Sequence, residues 1–243
     1  MEYFIAIAFV ILLFAIIFAL CSKQRSKILN EVIARRENFL TTISPNAHAI
    51  INNGLQFFFV DDVRGCFGFD ESGNTYSYDG ITSLLPLLEC IEIQHSTAGN
   101  ICIGKSICDK DSDKTPLDIA SISKIINILL PILKNNLHKD LDKHGLVPTL
   151  EYEHEGAFWG CDMNKKIFYT TFSCIHYFDF SKLIGTSVED MTNNQYYDGN
   201  YILHLYIKSE INFDTDEYDL TFHRKDAKFY SLLNMFDEIY NKR

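Results

Sequence analysis

The feature that most constrains this chain is an internal repeat with a spacing near 100 residues. A repeat halves the folding problem, because each copy must follow the same element order. Phe59-Val60-Asp61-Asp62 matches Trp159-Gly160-Cys161-Asp162 at an offset of 100. At that offset Tyr78-Asp79 meets Phe178-Asp179, and Gly99-Asn100 meets Gly199-Asn200. Each Gly-Asn pair opens an apolar strand, ICIG in one copy and YILHLYI in the other. Both copies then close on a helical pattern, Ala120 to Ile132 facing Ala227 to Ile239 at an offset of 107.

The local pattern within each copy is the same. Two aromatic-rich strands come first, Leu55–Val60 then Gly65–Phe69, and Ala157–Cys161 then Lys166–Phe172. Asp61-Asp62-Val63-Arg64 and Asp162-Met163-Asn164-Lys165 are polar hairpin turns between them. A third strand carries Tyr76 and Tyr78, or His176 and Phe178, and a bend leads to a fourth around Leu87–Gln94, or Leu183–Glu189. Thr115 is the expected cap of the first helix, with Pro116 at its first position and Asp118 completing a capping box. Pro131 is expected to kink or end that helix. His138 to Pro148, polar and broken by Gly and Pro, reads as the linker between copies.

Antiparallel strands closed by one carboxy-terminal helix resemble pleckstrin-homology-like (PH-like) domains of bacterial and phage proteins. The motifs that carry the resemblance are FFVDDVRGCFGF…YSYDGI and FWGCDMNKKIFY…HYFDFSKLI. The resemblance implies an α+β chain with two tandem PH-like domains, at 47–137 and 149–243, joined by a linker at 138–148. It also implies binding modules for lipids, peptides or protein partners rather than catalysts. The basic first hairpin of the lipid-binding members is poorly matched. The first turn offers Asp61, Asp62 and Arg64, and the second Asp162, Lys165 and Lys166. A protein partner is therefore favoured over a phosphoinositide.

Ahead of the repeats, Tyr3 to Cys21 carries no charge. As a helix this span is roughly 28 Å long, close to the thickness of a bilayer core. A cleaved signal peptide normally begins with basic residues, and here only Glu2 separates Met1 from the apolar run. The bases Lys23, Arg25, Lys27, Arg35 and Arg36 come after it. The positive-inside rule then predicts a transmembrane helix at 1–21, single-pass in the inner (plasma) membrane, with the soluble domains cytoplasmic. Residues 22–46 read as an amphipathic juxtamembrane stalk whose basic residues face anionic lipid. The stalk lies on the membrane, coils with a partner or packs on its own domain. Ala15-xxx-Ala19 and the stalk stripe also allow a homodimer through anchor and stalk.

Formal charge is −10, from 22 bases and 32 acids. Residues 1–43 hold five of those bases and three of the acids, which leaves 17 bases against 29 acids, or −12, in the body. That balance excludes broad nucleic-acid binding and suits a basic protein partner. Seven cysteines without a CxxC pair read as reduced core residues, not as a disulfide frame or zinc site. No phosphate-cradling glycine motif, HExxH or GxSxG is present, so no catalytic, cofactor or metal residues are assigned and no enzyme is expected.

Asp109, Asp111 and Asp113 open like an EF-hand loop, but Lys114 and Ala120 occupy the diagnostic positions. Asp214, Asp216, Glu217 and Asp219 form a second acidic loop, read as a partner surface with a weak cation site as the lesser reading. His176 and His204 lie in apolar strands and read as core residues. Tyr196, Tyr197 and Tyr201, with Asp214, Asp216 and Glu217, are the candidate partner-binding residues. The leading reading is a membrane-anchored interaction or scaffold protein. The alternatives are an immunity or phage-exclusion protein that neutralises an effector, and an anchored hydrolase.

Overall fold

The structure is a computed structural model. It describes residues 18–19, 21–31, 33–34, 36–38, 40–41, 46–53, 56–69, 74–105, 116–191, 201–209 and 215–243. The apolar span at 3–21 lies almost wholly outside these. Among the described residues no helix is long and apolar enough to cross a membrane. The chain is α+β, and its described residues form four antiparallel sheets. It divides into two compact units, Met1–Tyr78 with Asp111–Thr115, and Asp79–Lys110 with Pro116–Arg243. Compactness thus divides the chain inside the first repeat, whereas the repeat itself is a matter of element order.

The first unit holds a helix, α1, whose described residues run between 18 and 41. It also holds a sheet of β1 (His48–Asn53), β2 (Gln56–Asp61), β3 (Cys66–Phe69) and β4 (Thr75–Ser77), paired in that order. Phe57, Phe58, Phe59 and Val60 are all buried, so both faces of β2 are covered. Leu40 and Ala47 pack against Phe57 and Phe59. The carboxy-terminal end of α1 therefore rests on its own sheet, while residues 21–31 are exposed throughout.

In the second unit, β5 (Ile81–Pro86), β6 (Cys90–His95) and β7 (Gly99–Gly104) form one sheet, followed by α2 (Ile119–Lys143). Next come β8 (Leu150–His154), β9 (Ala157–Asp162), β10 (Ile167–Thr170) and β11 (His176–Asp179), paired in chain order. The last sheet is β12 (Leu183–Asp190), β13 (Tyr201–Lys208) and β14 (Thr215–Phe222), with α3 (Ala227–Lys242) after it. Four strands, three strands and a helix therefore occur twice in the chain. Trp159 is a core residue, edge-on to both Tyr218 and Phe236. Around it pack Phe168, Leu203, Leu205, Ile207 and Leu232.

Turn chemistry shows how the copies correspond. Asp61 Oδ1 accepts the Arg64 N–H at 3.0 Å, and Asp162 Oδ1 accepts the Asn164 and Lys165 N–H groups at 2.9 and 3.1 Å. Gly65 and Lys166 close these turns at φ +62° and +56°. Asp61, not Asp62, is thus the counterpart of Asp162. Tyr78 N–H bonds to Gly65 C=O as Phe180 N–H bonds to Lys166 C=O. Both β5 and β12 shift register between their first and third residues, Ile81 and Ser83 in one and Leu183 and Gly185 in the other. The true offset is therefore 101 at the hairpins and 102 from there to β12.

Several sequence expectations change. β1 and β8 are additional to the strands expected from sequence, and β8 is half-buried on both faces up to His154. The expected strand at Leu87–Gln94 is instead β6, and β5 is what matches β12. The Gly-Asn pairs are not equivalent, because Gly99 starts β7 whereas residues 199 and 200 precede β13, which is the counterpart of β6 in the second copy. Asp118 itself caps α2, accepting the Ser121 N–H, and Pro116 lies before the helix. Thr115 is outside the described residues.

The helix runs through Pro131 to Lys143. Pro131 and Asn127 face solvent, so water can satisfy the carbonyl that the proline leaves unbonded. His138 to Lys143 is accordingly helical. Asp216, Glu217 and Asp219 lie in strand β14, not in a loop.

The extended α2 joins the repeats. Asn136 Nδ2 donates to Ile81 C=O at 3.0 Å, and Arg243 Nη1 makes the matching bond to Leu183 C=O at 3.2 Å. One turn on, α2 reaches the β8–β11 sheet. Glu151 accepts from Tyr169 and His138 and pairs with Lys134 at 3.2 Å. Burial alone would raise the Glu151 pKa, but hydrogen bonds from His138, Tyr169 and Lys134 outweigh it and hold the carboxyl ionised below its ordinary value. Tyr177 Oη donates to Asp140 Oδ2 at 2.7 Å.

Candidate functional site

The repeat allows one copy to be used as a control for the other. β5 and β12 are both edge strands of three-stranded sheets. The edge of β5 is covered by the β8–β9 hairpin. Glu155 and Gly156, at φ +48° and +81°, make its two-residue turn. A Cβ on Gly156 would lie 3.1 Å from Leu84 C=O and 3.4 Å from Pro86 Cδ, so glycine permits the close approach. Leu84 is buried, and Leu85 and Pro86 are half-buried.

Their counterparts on β12 are Thr186, Ser187 and Val188, and Ser187 and Val188 are exposed. Ile184 is 45% and Val188 38% exposed, and a Cβ on Gly185 would meet nothing within 4 Å. Arg243 Nη1 bonds to this strand at the carbonyls of Leu183 and Ile184, at 3.2 and 3.5 Å. β12 thus presents an eight-residue edge that ends in the acids Glu189 and Asp190. Such an edge is suited to pairing with another extended chain.

The outward face of the same sheet carries a second feature. His204, on the central strand β13, pairs across to Asp219 on β14. Its Nδ1 is 2.8 Å from Asp219 Oδ1 and 3.1 Å from Glu217 Oε1, and its Nε2 is 3.3 Å from Glu189 Oε2. Burial by itself lowers the His204 pKa. The Asp219 hydrogen bond, with the charges around it, outweighs that effect and raises the ring above the ordinary histidine value. Tyr206 stacks on the ring and reaches Ser187 Oγ at 3.2 Å. His204 is therefore not the core residue its apolar neighbours imply. Alternation places Leu203 and Leu205 inward and His204 outward.

A third feature is a hollow of about 400 Å³ between the β8–β9 turn and the start of α3, lined by His154, Glu155, Phe222, Arg224 and Lys228 among others. His154 is buried and stacks on Phe222 at 4.1 Å, and its Nε2 has no hydrogen-bond partner. Desolvation and the nearby Lys228 push its pKa down to about 4, so the imidazole is neutral. Asp226 caps α3 and occupies the first N–H groups of the helix, at Lys228 and Phe229.

Of the residues singled out from sequence, Lys23, Arg25 and Lys27 are exposed on α1, and Lys27 lies 3.9 Å from Glu31. Arg36 is half-buried, and the Arg35 side chain is outside the described set. Tyr196, Tyr197 and Asp214 also lie outside it. Tyr201 is half-buried against the core beside Phe229, with Lys225 over its ring at 4.6 Å. Asp216 and Glu217 are exposed on β14. The six described cysteines, Cys21, Cys66, Cys90, Cys102, Cys161 and Cys174, are free thiols. No protein-family model, curated protein or solved structure matches this chain.

Proposed function

We propose that this chain is a non-enzymatic interaction protein whose second repeat takes up an extended, basic segment of a protein partner along β12. The observation that carries the reading is the contrast between equivalent edges. The chain fills the β5 edge itself, through the Gly156 turn, while the β12 edge stands open among the described residues. Strand addition draws affinity from main-chain hydrogen bonds and specificity from side chains such as Ile184 and Val188. The acidity of the body, with 17 bases against 29 acids beyond residue 43, favours basic residues in the partner.

In this reading the order of four strands, three strands and a helix is that of a PH-like domain, present twice. The uncharged run Tyr3–Cys21 is a membrane anchor, which sets the binding edge near the cytoplasmic membrane surface.

Peptides selected from a displayed random library against the full chain in detergent provide the test. The expected binders are basic, protect the amides of 184–190 from hydrogen exchange, and weaken at least tenfold against the Ile184→Lys/Val188→Lys variant. Binders that protect other segments and ignore the double variant would refute the assignment.

A further inference from the structure

We propose that His204, Glu217 and Asp219 form a binding site for a divalent transition-metal ion of the zinc or manganese class. Three donors from two adjacent strands converge on one point, with ligand atoms all within 4.8 Å of one another. Metal–ligand bonds near 2.0–2.2 Å place neighbouring donors roughly 3.0–3.5 Å apart. The nitrogen of His204 that faces the carboxylates is 2.8 Å from Asp219 Oδ1 and 3.1 Å from Glu217 Oε1. Small side-chain rotations open that spacing to the required one.

The other ring nitrogen faces Glu189 Oε2 at 3.3 Å. A carboxylate on the far nitrogen fixes the ring orientation and leaves Nδ1 as the ligand, as in histidine metal sites generally. One imidazole with two carboxylates suits zinc and manganese better than calcium, which prefers six or more oxygens. Three protein donors leave the remaining positions to water.

The first repeat shows that the fold does not need this cluster. Register places Glu92 where His204 stands and Cys102 where Asp219 stands, and the same three-stranded sheet forms. Gathering three carboxylates around one imidazole on β12–β14 also concentrates negative charge that the sheet does not require. A divalent cation neutralises it. This inference does not rest on the proposed binding edge, since the donors lie on β13 and β14.

The test uses the full chain, stripped of metal by a chelator and titrated with MnCl2 under electron paramagnetic resonance and with ZnCl2 by calorimetry. Manganese avoids the thiols. One equivalent is expected to bind at micromolar affinity or tighter, and His204→Gln and Glu217→Gln are each expected to weaken it at least tenfold. Circular dichroism identifies any variant that fails to fold, and the second substitution then carries the comparison. Absence of binding at 100-fold metal excess, or equal affinity in folded variants, would overturn the site.

Discussion

His154 makes stability depend on pH in a way that can be worked from its surroundings. The ring is buried on β8, stacked on Phe222, and has Glu153 and Glu155 of its own hairpin, Asp226 at the cap of α3 and Lys228 in its first turn around it. Burial dominates, and its pKa falls from 6.5 to about 4. The folded chain therefore binds fewer protons than the unfolded chain between those values. Stability from this group is fully present above pH 6.5, falls as the solution is acidified, and levels off below pH 4. At about 1.4 kcal/mol per pKa unit the full loss is about 3 kcal/mol, of which about 2 kcal/mol has gone at pH 5. His154→Phe keeps the stacked ring and removes the titration. Urea unfolding of both proteins at pH 7.5, 6 and 5 should show the variant gaining about 2 kcal/mol relative to the parent across that range. Parallel curves would show that the imidazole reaches water and that the reasoning is wrong.

Two further outcomes probe the frame of the second unit. Asp226→Ala, which strips the cap from α3, should lower the midpoint of thermal or urea unfolding, and Asp226→Asn should lower it much less. Glu151→Gln should cost about 2 kcal/mol, because it removes the charge that Lys134, His138 and Tyr169 gather around. A loss below about 0.5 kcal/mol would mean that α2 does not brace the β8–β11 sheet.

Much of the element order was readable because turns and helix stripes are built from near neighbours. Asp61 and Asp162 bond to residues two or three positions on, so the hairpins show in the sequence. The stripe Phe229, Leu232, Phe236 and Ile239 likewise appears before any fold is known. What failed was correspondence. Aromatic and Asp residues recur often enough to align one or two positions off, and only the hydrogen bonds of Gly65 and Lys166 set the copies in register. Pro131 was misjudged because local rules weigh the lost bond, while the exposure of its helix face was decided by packing. His204 was misjudged because all six of its neighbours in YILHLYI are apolar or aromatic, and only strand pairing reveals the face it occupies.

By itself the sequence determined the repeat, the α+β class, the acidic body and the uncharged run ahead of it. These are properties of composition and of contacts a few residues apart. The tertiary structure alone decided that α2 extends to brace the next sheet, that among the described residues β5 is covered while β12 is open, and that Glu217 and Asp219 meet His204. Those outcomes depend on strand register and on groups far apart in the chain, and a shift of a single residue would turn His204 from the outer face to the core.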